Sequence, residues 1–236
     1  MGNQLPPWII WHIPHARTEI PTKYRNQFLL TEEELRTEAE CVADTDADTL
    51  YTRPGDNVLL FPYSRVLVDP ERLRGDEEPM AAIGLGMIYQ RTHDGRALRR
   101  KLTNREEAEI SVLYDDHHTK LNRMTEATLE RFGRCLIIDG HTYPASPLPF
   151  EDPTRGRPAV CLGTDPIHSP LSLVKSLISS LEAYKLEVGM NTPYAGALVP
   201  QLFQNDPRVM SVMIETRKDC YHENIRSAIE ETIAVI

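Results

Sequence analysis

Two histidines close apolar runs that read as strands, and a pair of imidazoles delivered in this way is a natural beginning for a metal site. His15 ends Trp8-Ile9-Ile10-Trp11-His12-Ile13-Pro14-His15, and His141 ends Cys135-Leu136-Ile137-Ile138-Asp139-Gly140-His141. A parallel sheet presents such residues at the crevice along its carboxyl edge. A catalytic zinc takes three protein ligands and keeps a fourth position for water, whose pKa it lowers toward neutrality. His15 and His141 supply two, so an acidic side chain must supply the third. The candidates are the aspartates of Asp44-Thr45-Asp46-Ala47-Asp48 and Glu19, four residues beyond His15. Spacing alone does not choose among them, and helix capping is their ordinary alternative. A calcium-binding EF-hand is excluded, because Thr49 and Gly55 stand where its obligatory Gly and bidentate Glu belong.

Other residues complete a hydrolytic set. Glu215 follows directly on the apolar run from Val209 to Ile214. There it would serve as a general base toward water and then hand the proton to a leaving amine, the alternative being a pair with Arg217 or Lys218. Arg65 and Arg72 bracket Val66-Leu67-Val68-Asp69-Pro70-Glu71, and guanidinium groups suit both carboxylate binding and oxyanion stabilisation, with surface salt bridging as the alternative. His117 and His118 fall within a helical pattern and read as packing residues or as groups supporting the ligands. His12, His93, His168 and His222 read as packed or surface histidines. Gly84-Leu85-Gly86 lacks the third glycine of a dinucleotide fingerprint.

The elements that must hold these groups are legible in outline. Thr31 with Glu34 forms a capping box, so a helix runs from about Thr31 into the early 40s. Asn57 to Phe61 and Arg65 to Val68 read as two short strands or one bent strand. The charged, proline-bounded stretch from Pro70 to Pro79 reads as a surface loop, and Asn104 to about Phe132 as the longest helix. Proline crowding from His141 to Arg157 predicts a long irregular loop of the kind that is often functional. Ala159 to Leu162 is a further expected strand, Ser169 to Tyr184 a helix, Val209 to Ile214 a buried strand, and a last helix starts near His222. Strands alternating with helices imply one α/β domain over residues 1–236, its sheet mainly parallel or mixed with helices on both faces.

Bulk properties narrow the function. At 236 residues, 41% hydrophobic and 26% charged, the chain fits a globular domain rather than a disordered or fibrous class. A net charge of -9 opposes generic nucleic-acid binding. The opening residues lack the basic and apolar regions of a signal peptide and no run is long enough for a membrane span, so a cytoplasmic location is expected. Cys41, Cys135, Cys161 and Cys220 are widely spaced, which excludes a zinc ribbon or Cys-x-x-Cys redox pair.

Taken in order, these segments resemble the N-formylglutamate amidohydrolase family. The resemblance rests on Ile13-Pro14-His15, Asp44 to Tyr51, Tyr63-Ser64-Arg65 through Asp69-Pro70-Glu71-Arg72, His117-His118, Asp139-Gly140-His141, Asn191 to Gly196, and Glu215. It implies a fold related to zinc carboxypeptidases, with His141 followed by Thr142-Tyr143 and Glu215 in the late catalytic position. One departure is that His15 is followed by Ala16-Arg17-Thr18, without the carboxypeptidase-type Glu. The resemblance puts Asp44 in the third ligand position, with Asp46 in reserve. The reaction it implies is zinc-dependent hydrolysis of N-formyl-L-glutamate or a related N-acyl acidic amino acid. His15, Asp44 and His141 would hold zinc, Glu215 would activate water and Arg65 would polarise the scissile carbonyl. Arg72 and Asn191 would bind the substrate, and His118 would position it. A carboxypeptidase-like or cell-wall peptide amidase and a non-catalytic metal-stabilised binding protein are the alternatives.

Overall fold

The computed structural model describes residues 5–221 and 224–235, and its organising element is a six-stranded sheet. The strands are β1 (Ile9–Ile13), β2 (Val58–Leu60), β3 (Cys135–Tyr143), β4 (Val160–Thr164), β5 (Val188–Met190) and β6 (Val209–Arg217). Their order is β2-β1-β3-β6-β4-β5. Neighbours run parallel except β4 and β6, which are antiparallel, so the sheet is mixed. The chain crosses to β2 on one side of β1 and returns to β3 on the other, which opens a crevice beyond the carboxyl ends of β1 and β3.

Five α-helices are described: α1 (Glu32–Val42), α2 (Ala47–Tyr51), α3 (Asn104–Phe132), α4 (Leu171–Ala183) and α5 (Asn224–Ile233). Capping boxes at Thr31 with Glu34 and at Thr103 with Glu106 start α1 and α3, and Gly133, at φ 70°, ends α3 in the left-handed region. Strand alternation then divides the core. Ile9, Trp11, Leu136, Ile138, Val212 and Ile214 face α4 and α5, while Ile10, Ile137 and Val209 face Leu121 and Leu129 of α3. Helices therefore cover both faces. None is long and apolar enough to cross a membrane among the described residues.

A third apolar cluster lies over the carboxyl edge, where α1 packs on Val66, Leu67, Val68, Tyr89 and Leu98. Here the expected strand from Arg65 to Val68 is corrected, because the segment is a turn. Its run is fully buried, yet its backbone is satisfied locally. Leu67 N donates to Ser64 O at 3.0 Å, and the Arg99 guanidinium donates to the carbonyls of Val66 and Leu67. Burial without a neighbouring strand was possible because one buried arginine replaced the ladder. The short α2 and β5 were not anticipated, and His222 lies outside the described residues.

Tyr51 couples α2 to the site. Its hydroxyl donates to the carbonyls of His141 (2.8 Å) and Ile214 (3.0 Å) and shares a hydrogen bond with the Thr216 hydroxyl at 2.6 Å. A Cβ at position 140 would meet the Tyr51 ring at 2.8 Å, so glycine is what lets the ring lie against β3. Tyr51→Phe should cost about 1–3 kcal/mol in denaturant unfolding, the usual scale for stranding buried polar partners. An unchanged midpoint would mean that the strand carbonyls are satisfied without it.

Candidate active site

Alternation along three adjacent strands brings the reactive side chains to one face. His12 pairs in register with Asp139, and His141 with Glu215. Asp139 and His141 are two residues apart on β3 and so share a face. Loops at the same edge add His15 just past β1, Asp44 between α1 and α2, and the Arg65–Arg72 segment. All but His12, the last segment through Arg65, Glu71 and Arg72, line a cavity of about 550 Å³ that also takes in Tyr89, Tyr194 and Lys218.

The hydrogen bonds define which imidazole atoms are free. His15 Nε2 donates to Asp69 Oδ1 at 2.8 Å, and His141 Nδ1 donates to Asp44 Oδ2 at 2.8 Å. Both carboxylates accept only, so each neutral ring keeps its lone pair on the opposite nitrogen. Those opposite atoms, His15 Nδ1 and His141 Nε2, are buried and have no hydrogen-bond partner. Glu71 Oε2 lies 3.4 Å from the first and 3.3 Å from the second. Two lone pairs beside a carboxylate, at a position shielded from water, are a donor set that fits a divalent metal.

Asp69 anchors this arrangement. It is fully buried and accepts from Arg65 Nε (2.9 Å) and Nη2 (2.6 Å), from Tyr89 (3.0 Å), from His15 and from the Glu71 amide (3.0 Å). Burial would raise its carboxyl, but Arg65, His15 and Arg72 outweigh burial and hold it well below the usual range. A carboxylate that fixes both an imidazole and an arginine gives the two groups one shared reference point.

The site carries an excess of acid. Burial should make His141 lose its proton, yet Glu71, Asp139 and Asp44 push its pKa well above the ordinary value. His15 shifts the same way, where Asp69, Glu71 and Asp44 overcome burial and the charge of Arg65. Carboxylates that hold protons on these rings will also favour a cation in their place. Glu215, 8% exposed, has a buried and unpartnered Oε2. Burial pushes its carboxyl up to about 8, with His141 opposing the shift and the charges of Asp44 and Glu71 adding to it.

The expected site residues fall into three groups. His15, Asp44, Arg65, Arg72, His141 and Glu215 all line the cavity. His118 stands behind it, where Nε2 donates to Pro70 O at 2.8 Å and supports the loop carrying Glu71. Asn191 is not among the lining residues. Its side-chain oxygen accepts from Thr164 N at 3.0 Å and its amide donates to the Thr164 hydroxyl at 2.9 Å, so it shapes the loop that ends at Gly196 rather than offering an amide to the cavity. Among the other acidic candidates, Asp48 pairs with Arg17 at 2.7 Å, and both Asp46 and Glu19 are exposed.

Several participants escaped the sequence reading. Asp69, Glu71 and Asp139 were not singled out, and His12 was read as an ordinary packed residue. His12 Nδ1 donates to Asp139 Oδ1 at 2.7 Å, while its Nε2 accepts from His117 Nε2 at 2.7 Å. Period-two spacing of Asp139 from His141 was the signal for one of them. Glu71 has no periodic signal, only the string Asp69-Pro70-Glu71-Arg72.

Fold and cavity together define an α/β domain with its candidate active site at the carboxyl edge of a mixed sheet. The model of the N-formylglutamate amidohydrolase family matches residues 7–222, and the chain belongs to that family of amide hydrolases. The fold is similar to the crystal structure of N-formylglutamate amidohydrolase from Ralstonia eutropha JMP134, with a TM-score of 0.73 and 22% identity over 99% of this chain and 92% of that one. It is also similar to a gene product of Agrobacterium tumefaciens, with a TM-score of 0.67 and 17% identity over 98% and 90% of the two chains. No curated protein matches the chain.

Proposed function

We propose that this chain hydrolyses N-formyl-L-glutamate, or a closely related N-acyl acidic amino acid, to formate and L-glutamate, using one zinc ion held by His15, His141 and a neighbouring carboxylate. The observation that carries the reading is the pair of buried, unpartnered imidazole nitrogens facing acid, with Glu215 beside them in register. Bound zinc would supply a Lewis acid that lowers the pKa of water and polarises a carbonyl.

The chain's own groups do the rest. Glu215 takes a proton from the attacking water and delivers it to the amide nitrogen as the carbon–nitrogen bond breaks. Arg65, fixed by Asp69 through two of its nitrogens, keeps further N–H groups for the oxygen of the scissile carbonyl as it gains charge. Arg72 lines the cavity and its buried Nε has no hydrogen-bond partner, which suits it to a substrate carboxylate. A second cation, Lys218, donates to Ala43 O at 2.7 Å on the same wall. The four cysteines are free thiols, which supports a reducing, cytoplasmic setting.

The test is a panel of N-acyl amino acids and short peptides incubated with zinc-loaded protein, with formate and free amino acid measured together. Equimolar formate and glutamate from N-formyl-L-glutamate is the expected result. Amino-acid release from peptides without formate would replace this reading by a peptidase, and zinc binding without any hydrolysis would replace it by a binding protein.

A further inference from the structure

We infer that Arg99 is a positioning residue for the reaction, a buried guanidinium that holds the turn following Arg65 by its carbonyl oxygens and so aims Arg65 at the scissile carbonyl. The inference rests on the role proposed above for Arg65. Arg99 is 5% exposed and does not line the cavity, so it has no direct part in binding substrate. No charged group among the described residues offsets its burial, which pushes its pKa down to about 9. A guanidinium buried without an acid is costly, and the hydrogen bonds it makes must offset that cost.

Those bonds converge on one place. Nη2 donates to Val66 O and to Leu67 O at 3.1 Å, while the buried Nε and Nη1 have no hydrogen-bond partner. The two acceptors belong to the residues directly after Arg65, and both residues are fully buried. The position of Arg99 itself is set elsewhere. It bridges antiparallel to Phe28, with Leu29 N donating to Leu98 O at 2.9 Å and Arg100 N to Gln27 O at 3.0 Å on either side. Its guanidinium carbon lies 4.7 Å from the centroid of the Phe28 ring. The side chain is thus fixed at its base and along its length, and its tip passes that fixed position to the turn.

What the turn carries gives the contact its consequence. Asp69 holds the Arg65 guanidinium through Nε and Nη2, but the course of the main chain at Arg65 depends on the turn. Asp69 has ties of its own, since its amide donates to Met87 O at 2.8 Å and its carboxylate accepts from the Tyr89 hydroxyl at 3.0 Å. Loss of the Arg99 contact therefore displaces Arg65 and leaves Asp69, with the His15 ring bonded to it, in place. A lysine at position 99 could donate to the same carbonyls but lacks the planar fork, so it replaces arginine only in part.

The test is a double-mutant cycle with N-formyl-L-glutamate on zinc-loaded wild type, Arg99→Met, Arg65→Ala and the double variant, with Arg99→Lys alongside. Readouts are kcat, KM, zinc content and the thermal midpoint. Arg99→Met should lower kcat by about 10- to 100-fold, the scale of a slightly misplaced catalytic group, with KM and zinc content unchanged. Arg99→Lys should recover part of that loss. In the Arg65→Ala background, itself slower by about 100- to 1,000-fold, Arg99→Met should change kcat by no more than about twofold. A residue that merely supports the fold would lower activity by the same factor in both backgrounds. Where Arg99→Met does not fold, the cycle is closed with Arg99→Lys. Equal factors in the two backgrounds, an unchanged kcat in the single variant, or a loss of zinc overturns the inference and leaves the proposed function standing. A zinc-loaded wild type that hydrolyses no N-acyl amino acid overturns both.

Discussion

Glu215→Gln is expected to retain its metal and lose turnover of N-formyl-L-glutamate by about two to four orders of magnitude, the usual contribution of a positioned general base. The substitution keeps shape and removes the ability to accept a proton. Glu215 is suited to that task by position, since β6 sets it beside His141 in register and at the cavity wall. Its environment is suited too, because burial raises its carboxyl to about 8 when no metal is present, and a nearby cation would draw it back toward the working range. A companion measurement follows from the sign of that shift. The folded pKa lies above the ordinary value of 4.5, so the favourable contribution of protonated Glu215 is complete below 4.5 and is lost as pH rises through about 8. Metal-free wild type should therefore lose stability across that window more steeply than metal-free Glu215→Gln. Unchanged turnover in the variant removes Glu215 from the chemistry, and equal pH slopes remove the argument from burial.

How much of this was legible depended on whether a residue belonged to a periodic element. His15 and His141 could be picked out because buried strands announce themselves as apolar runs, and whatever follows such a run sits at a sheet edge. Glu215 was found in the same way. Arg65 and Arg72 were visible as a bracket, but the reason they lie at the site was not. Val66, Leu67 and Val68 have strand composition, and only the placement of Arg99, more than thirty residues later, shows that their carbonyls are met by a side chain. The antiparallel entry of β4 was equally invisible, because pairing direction is decided by connections and not by composition.

The aspartates between residues 44 and 48 show the limit most clearly. Three identical side chains at alternate positions have three fates: Asp44 meets His141, Asp46 opens α2 at φ 65°, and Asp48 pairs with Arg17. Nothing in their spacing separates them, whereas the resemblance placed Asp44 at the site. Glu71 illustrates the opposite failure. It sits in a proline-containing loop whose course is fixed partly by distant residues, Asp69 by Tyr89 as well as by nearby Arg65, and Pro70 by His118.

His141→Ala is expected to abolish stoichiometric zinc binding, because His141 is the residue on which the separate parts of the site converge. Asp44 holds its Nδ1, Glu71 and Asp139 stand within 3.3 Å of its Nε2, and Tyr51 bonds its carbonyl. Removing the ring deletes a proposed ligand and also leaves Asp44 without its contact at 2.8 Å, so the remaining donors lose both number and geometry. Thermal unfolding with and without zinc measures this without reference to activity. A ligand present at about 100 times its Kd stabilises the folded state by about 2.7 kcal/mol, and wild type should show a rise of that order while the variant shows none. The Tyr51 bond is made to the main chain, so the alanine variant keeps its strand register and should still unfold cooperatively. Full zinc content in a folded His141→Ala protein would remove His141 from the ligand set and, with it, the argument that β3 delivers the metal site to the carboxyl edge of the sheet.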